Sequence, residues 1–217
     1  AGYGCYETSN FCRPLAEARH NLVYWLRRDY LGLGPSAHGL WRGTRYGNHY
    51  ATERWASALT DAGITEVGGD IVADDTCFDR EYIHPSWPRT QISRWYCAPI
   101  SGLSFNDNCI ELRALPGSNG TVEVVKEPST KYITVHNTCR LTKKKKDAQF
   151  IISKKPDSNE IFVKGEISRK QLPSVQFVAV DNPPLFLASV FKEVLERQGI
   201  KVHGQARLIS VEDGDSP

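Results

Sequence analysis

The stretch "NPPLFLASVFKEVLERQG", residues 182–199, decides the fold class of this chain. Asn182 can cap a helix with its side-chain oxygen, and the two prolines after it fit a first turn, where no amide partner is needed. Gly199 supplies a helix stop. Between them an apolar stripe recurs at helical spacing, and it consists of Leu187, Val190, Phe191, Val194 and Leu195. The pattern predicts one amphipathic helix.

The block before this helix, residues 109–180, has the pattern of β-structure. "CIELRALPGSNGTVEVV" (109–125) and "FIISKKPDSNEIFVKGEI" (150–167) each predict two strands around a turn. "YITVHNTCRL" (132–141) predicts one more strand, and "IKVHGQARLISV" (200–211) predicts a strand after the helix. A helix that follows a β-rich block indicates an α+β architecture.

The N-terminal third predicts smaller pieces of structure. "HNLVYW" (20–25) reads as a strand, and "YLGLGPSAHG" (30–39) reads as a loop because glycine and proline punctuate it. "ERWASALTDAG" (53–63) predicts a short helix, and "ITEVGGDIVADD" (64–75) predicts strand, turn and strand. We therefore expect β-rich domains with a few amphipathic helices, preceded by a small strand and loop fragment.

Composition excludes several classes of function. The chain has 217 residues, 40% of them hydrophobic, which is enough for a real core, and its net charge of +2 favours no nucleic-acid partner. No apolar run approaches the roughly 18 residues that a membrane span needs. The chain contains no methionine and opens without a signal peptide, so we expect a piece of a longer frame.

The cysteines and the serines give no catalytic or metal site. The six cysteines include no Cys-x-x-Cys pair, so we expect buried thiols and no metal; in an exported protein the last four could pair in any of three ways. "SVFK" (189–192) and "SFN" (104–106) match two elements of a penicillin-binding serine hydrolase, but no Lys-Thr-Gly accompanies them. Because "SVFK" lies inside the amphipathic helix, we interpret it as a chance match and predict no catalytic residue.

His20 and Tyr24 are candidates for a different chemistry. Residues four apart on a strand face the same side of it. An imidazole beside aromatic rings can ligate haem iron. A histidine that is hydrogen-bonded to backbone is the interpretation that local chemistry favours.

The segments "YETSNFCRP", "RHNLVYW" and "DYLGLGPSAHG" together resemble the radical-SAM haem chaperones, a family related to oxygen-independent coproporphyrinogen III oxidase. The resemblance covers about residues 1–50. It implies that His20 occupies the position associated with haem binding. The family's barrel and cluster cysteines are not in this chain, so no radical chemistry is implied.

The remaining three quarters resemble low-molecular-mass penicillin-binding proteins of the D-alanyl-D-alanine carboxypeptidase/endopeptidase type. The segments that carry this resemblance are "ALTDAGITEVGGDIVADDTCFD", "HPSWP", "WYCAPISGLSFNDNCIEL" and "NPPLFLASVFKEVLERQGIKVHG". In that family they form accessory domains inserted between the Ser-x-x-Lys and Ser-x-Asn elements. The resemblance therefore implies that Ser104 and Ser189 are not the family's nucleophile and that its catalytic motifs lie outside this chain.

One binding site is implied by the same resemblance. The inserted domain of that family reaches towards the side-chain amine of the peptidoglycan stem peptide, and "ADDTCFD" matches the place. Asp74, Asp75 and Phe78 are therefore candidates, because carboxylates and an aromatic wall suit an ammonium group. The alternative is that the two aspartates form a turn at a strand end.

We thus expect two parts, a haem-chaperone-like fragment at 1–52 and a carboxypeptidase accessory region at 53–217. The second part implies a periplasmic or extracytoplasmic protein that meets peptidoglycan, is inactive alone and needs no cofactor. The first part implies a cytoplasmic haem-binding fragment as the alternative. Because the two locations disagree, a fusion or chimera is expected.

Overall fold

The computed structural model describes residues 4–7, 10–12, 26–27, 38–47, 52–76, 80–143, 150–155 and 157–209. The chain divides into two compact units, Ala1–Gly63 and Ile64–Pro217. The expected boundary after residue 52 lies before the boundary between these units, and the helix at 52–61 separates the two. The assignment of 1–52 and 53–217 to two families stays a prediction.

The first unit contains two antiparallel hairpins and a helix. Strands β1 (Gly4–Glu7) and β2 (Asn10–Cys12) pair with each other, as do β3 (His38–Trp41) and β4 (Thr44–Gly47). Helix α1 spans Thr52–Asp61, which confirms the predicted helix. The predicted loop at 30–39 is wrong at its last two residues, which begin β3; the predicted strand at 20–25 lies outside the described residues.

The second unit contains a small layer of parallel strand pairs. Strands β5 (Glu66–Val67) and β6 (Ile71–Ala73) come early in this unit; helix α2 (Pro183–Arg197) and strands β14 (Lys201–Val202) and β15 (Ala206–Leu208) end it. β14 pairs with β5 and β15 with β6, both in parallel, and α2 packs on β6, β14 and β15. The single strand predicted at 200–211 is therefore two strands.

Gly204 lies between those two strands because the backbone of another segment comes close to it. A Cβ at this position would lie 2.3 Å from Asp70 Oδ1 and 2.4 Å from the Gly69 carbonyl oxygen. Any side chain would push the segments apart. The chain therefore needs glycine where the β14–β15 connection crosses the β5–β6 turn.

Helix α2 begins and ends as the sequence predicts. The Asn182 side chain accepts a hydrogen bond from the Leu185 amide at 3.1 Å, and Gly199 follows the helix with φ at +84°. The buried face differs from the predicted stripe, since Leu187 and Phe191 are half-buried and Phe186 is fully buried. The buried residues of the helix are Pro183, Pro184, Phe186, Ala188, Val190, Val194 and Leu195.

Two sheets form the rest of the second unit. In the first, β7 (Cys109–Pro116) pairs antiparallel with both β8 (Val122–Glu127) and β13 (Ser174–Ala179). The β7–β8 hairpin confirms the prediction for 109–125. The inward side chains of β7 are buried at alternate positions, as a half-buried strand requires: Ile110, Leu112 and Ala114.

The second sheet is centred on β12 (Glu160–Ser168). β11 (Phe150–Lys154) pairs with it antiparallel, which confirms the predicted hairpin, whereas β9 (Thr134–Asn137) and β10 (Arg140–Thr142) both run parallel to it. The single strand predicted at 132–141 is thus two strands, because Thr138 and Cys139 interrupt the pairing with β12, although the register is the same on both sides. The observed mixture of sheets and two helices in the described residues confirms the α+β fold class.

Cys97, Cys109 and Cys139 are buried free thiols. Burial raises the pKa of the Cys109 thiol to about 11, so this thiol stays protonated at neutral pH. In the described part of the chain, neither helix is both long enough and apolar enough to cross a membrane.

Candidate functional site

Asp74 follows the last residue of β6 and lies on the surface. Its Oδ1 accepts hydrogen bonds from the Thr76 hydroxyl at 2.7 Å and the Thr76 amide at 3.0 Å, which closes an Asx turn. These bonds, that of the hydroxyl first, hold the pKa of the Asp74 carboxyl below its ordinary value. Within the described residues Oδ2 accepts no further bond, so the site presents one ionised, exposed oxygen.

Asp75, the next residue, points the other way and has a side chain that is 1% exposed. Its Oδ1 accepts a hydrogen bond from Arg80 Nε at 3.0 Å and lies 2.9 Å from a second guanidinium nitrogen, while Tyr82 Oη donates to Oδ2. Arg80 also donates to the Ile209 carbonyl at 2.9 Å. The Asp75 carboxylate therefore ties the segment after β6 to the strand layer beneath it.

Burial, and then the hydrogen bond to Asp75, raises the pKa of Tyr82 to about 12. The phenol stays protonated and keeps donating to the carboxylate at neutral pH. A buried carboxylate that is satisfied by a guanidinium and a phenol is a structural group. It presents no free oxygen to a ligand.

The sequence gives Asp74 and Asp75 as one pair of candidates, and in the structure the two side chains have different surroundings. Asp74 is available to solvent, whereas Asp75 is engaged. The aspartates lie in a turn at a strand end, as the alternative interpretation has it, and their contact with a stem peptide stays a prediction. Phe78, the third candidate, lies outside the described residues.

Sequence reasoning did not single out Arg80 and Tyr82. The available signal was that Arg80 and Tyr82 follow Asp75 by five and seven residues, just after the end of a predicted strand. A loop of that length can fold back, but the spacing does not say onto which carboxylate. The pairing is therefore a result of the structure.

The Ser-x-x-Lys match lies within α2. Lys192 Nζ is 3.5 Å from a carboxylate oxygen of Glu196, one turn further along the helix, so its ammonium group is ion-paired. Ser189 is half-buried between two buried apolar residues. A catalytic lysine acts as the base of its serine, whereas the partner that Lys192 has in the structure is the Glu196 carboxylate.

The side chains of the Ser-x-Asn match form hydrogen bonds that stabilise a loop. The Asn106 side chain donates to the Cys109 carbonyl at 2.9 Å, and Ser104 Oγ accepts from the Asn108 side chain at 3.1 Å. Asn108 is buried and also donates to the Pro99 carbonyl at 2.8 Å. These side chains hold the turn before β7.

His20 and Tyr24, the haem candidates, lie outside the described residues. Among the residues that the structure describes, no group of three or more histidine, cysteine, aspartate or glutamate side chains could hold a metal ion.

Part of the chain is similar to haem chaperones. Heme chaperone HemW from Mycobacterium tuberculosis is 41% identical over 77 residues, which is 33% of this chain and 20% of that protein. The same protein from Escherichia coli is 51% identical over 39 residues, 18% of this chain and 10% of the relative. The predicted resemblance to this family is confirmed as short local matches.

A longer similarity connects the chain to carboxypeptidases. A D-alanyl-D-alanine carboxypeptidase from Actinomadura sp. is 26% identical over 160 residues, 70% of this chain and 30% of that enzyme. The crystal structure of penicillin binding protein 4 from Haemophilus influenzae matches the fold with a TM-score of 0.56 at 19% identity, over 72% of this chain and 35% of that one.

This chain therefore spans about a third or less of each curated relative and solved structure that it matches. The model of one family, D-Ala-D-Ala carboxypeptidase 3 (S13), matches residues 51–217, which is most of the chain. That match agrees with the resemblance carried by the sequence segments and with the observed α+β fold. The chain belongs to the D-Ala-D-Ala carboxypeptidase 3 (S13) family.

Proposed function

We propose that residues 51–217 are the accessory, non-catalytic region of a serine-type D-alanyl-D-alanine carboxypeptidase that acts on peptidoglycan stem peptides. The family match over these residues is the observation that carries the proposal. The similarity to a curated D-alanyl-D-alanine carboxypeptidase supports the same substrate class. A periplasmic or other extracytoplasmic location follows from that substrate, because peptidoglycan lies outside the cytoplasm.

Asp74 is the residue through which this region contacts the stem peptide. Its carboxylate is exposed, its pKa is lowered, and one oxygen is free of bonds among the described residues. An ionised carboxylate with a vacant oxygen suits the side-chain ammonium of a stem peptide. Asp75 holds the turn that presents Asp74, and Phe78 is the proposed aromatic contact of the same ligand.

A binding titration tests this role. A stem pentapeptide with a free side-chain amine is titrated into the whole chain, and we expect Asp74→Asn to weaken binding about tenfold, as loss of a charge-assisted bond does. The matched control is Asp157→Asn, an exposed aspartate with φ at +50°, a conformation that asparagine tolerates. Equal affinity of the Asp74→Asn variant and the natural chain would exclude Asp74 from the contact.

The chain does not itself cleave the terminal D-alanine amide in this proposal. The sequence has one Ser-x-x-Lys, at 189–192, and no Lys-Thr-Gly. The ion pair of Lys192 with Glu196 supports a structural role for that segment. An acyl-enzyme mechanism needs a serine, a base and an oxyanion site together.

Acylation by a fluorescent penicillin measures this directly. We expect no covalent label above that on denatured chain and no release of D-alanine from a pentapeptide. Label that disappears in Ser189→Ala and persists in Ser104→Ala would refute the proposal and assign the nucleophile. A folded state of both variants is checked by thermal unfolding.

Haem binding by the N-terminal part is the second candidate function, favoured by the similarity to heme chaperone HemW. His20 is its proposed haem-binding residue, and Tyr24 is the second candidate that the sequence offers. Haemin added to the whole chain is expected to give a Soret band that His20→Ala abolishes and His136→Ala leaves intact. An identical spectrum for the natural chain and the His20→Ala variant would end this candidate.

A further inference from the structure

A cavity of about 280 Å³ lies in the second unit. Three segments far apart in the sequence form its walls: the turns at 89–94, the end of β11 at 152–154, and the middle of β13 at 176–178. None of the described residues at 74–76 and 80–82 lines it. The cavity is thus separate from the site proposed for the stem peptide.

The charged side chains that line this cavity are basic. Among the residues that the structure describes, its lining includes Arg89, Arg94 and Lys154 but no aspartate or glutamate. Lys154 has a side chain that is 3% exposed and donates to Asp181, so its charge is neutralised. The two arginines have no carboxylate partner within the part of the chain that the structure describes.

The uncharged lining suits a small polar ligand. Ser93, Thr90 and Ser153 bring hydroxyl groups that can donate to oxygen atoms, and Gln176 brings an amide. Phe177, which is 48% exposed, adds an aromatic ring. Guanidinium groups and hydroxyls together are the donor set that proteins use for phosphate.

The backbone fixes the arginine-bearing wall before any ligand arrives. Arg94 forms a β-bridge with Val178, and the Ala179 amide donates to the Ser93 carbonyl at 3.0 Å. Successive turns precede it, with the Gln91 amide bonded to the Pro88 carbonyl at 2.8 Å and the Arg94 amide to the Gln91 carbonyl at 2.8 Å. A wall held in this way loses little conformational entropy on binding.

We propose that this cavity binds the phosphate group of a small phosphomonoester, with Arg89 and Arg94 as the charged ligands. Two unpaired guanidinium charges match the double negative charge of a phosphomonoester above its second pKa of about 6. The hydroxyl groups of the lining complete the oxygen contacts, and the Phe177 ring contacts the carbon skeleton of the ligand. No chemical step is involved.

Nuclear magnetic resonance of the whole chain labelled with nitrogen-15 tests the site, with glycerol 3-phosphate as the probe. We expect saturable shifts of the Ser153 and Gln176 amides at pH 8. Arg89→Gln and Arg94→Gln should each raise the dissociation constant about tenfold. Arg140→Gln is the matched control, since Arg140 is an exposed arginine outside the cavity and its replacement removes the same charge.

Control ligands and a change of pH distinguish a specific phosphate site from a general attraction of anions. Glycerol and sodium acetate at equal ionic strength should give no saturable shift, and binding of glycerol 3-phosphate should weaken at pH 5.5 because its phosphate carries one charge less. Three results would overturn the proposal: no saturation, equal shifts with acetate, or equal weakening in Arg140→Gln. None of these depends on stem-peptide binding, so the two proposals fail separately.

Discussion

The core around α2 and the cavity beside β13 each contain a phenylalanine, and the two residues behave differently. Phe186 is 0% exposed, and its ring lies 5.4 Å from that of Phe105 and 5.6 Å from that of Tyr132, centre to centre. Phe177 is 48% exposed and lines an open cavity. The comparison shows that one aromatic residue serves the fold, while the other is placed where a ligand can reach it.

Replacing Phe186 with alanine should have the largest effect on stability. Loss of a fully buried ring removes its transfer free energy and leaves a cavity, so we expect a loss of about 3–5 kcal/mol of unfolding free energy. Urea denaturation followed by circular dichroism measures it. A loss below about 1 kcal/mol would mean that α2 does not anchor the second unit.

Asp74 and Asp75 differ in burial in the same way as the two phenylalanines. Asp75→Ala leaves the Tyr82 hydroxyl and the Arg80 guanidinium without their partner, so we expect a loss of about 2–3 kcal/mol. Asp74→Ala removes an exposed turn and should cost about 1 kcal/mol or less. Urea denaturation of both variants measures the difference, and equal losses would contradict the assignment of Asp75 as the structural member of the pair.

Local sequence pattern was sufficient wherever one segment determines its own structure. Asn182, the two prolines and Gly199 predicted both ends of α2, and the turn residues predicted the hairpins of β7 with β8 and of β11 with β12. In each case the deciding groups lie within a few residues of one another. The α+β class followed from these elements.

Contacts between segments that are far apart in the sequence could not be predicted from local sequence pattern. The pairing of β5 with β14 and of β6 with β15 connects residues more than 130 positions apart. The arginines of the cavity meet β13 across more than 80 positions, and Asp75 gains its partners through a folded-back loop. Hydrophobic periodicity reports which face is buried, but it does not report which segment covers it.

Tyr132 makes the stability of the Phe186 core depend on pH, because its ring packs against that of Phe186. It donates to the Asp181 carbonyl at 2.7 Å, and burial is the main cause that raises its pKa to about 12. In the unfolded chain the pKa is about 10. The stability due to this difference is therefore present below pH 10 and is lost as pH rises through about 12.

We expect Tyr132→Phe to cost about 1 kcal/mol at pH 7, since one hydrogen bond is lost. Between pH 10 and 12 the natural chain should lose stability more steeply than the variant. Tyr82 has a raised pKa as well, but it is present in both proteins and cancels in the comparison. Chemical denaturation at pH 7, 9, 10 and 11 measures the slopes, and parallel slopes would contradict the raised pKa of Tyr132.

The smallest expected effect comes from Phe177→Thr. Threonine keeps a high preference for strands, and the replaced ring is half in solvent, so the unfolding free energy should change by about 0.5 kcal/mol or less. The affinity for glycerol 3-phosphate should nevertheless fall, because the ring no longer contacts the carbon skeleton, while that for inorganic phosphate should stay the same. A stability loss as large as that of Phe186→Ala would place Phe177 in the core and end the distinction. Unchanged stability with weaker binding of the ester alone would assign the ring to the ligand, because no role in folding predicts a difference between the two phosphates.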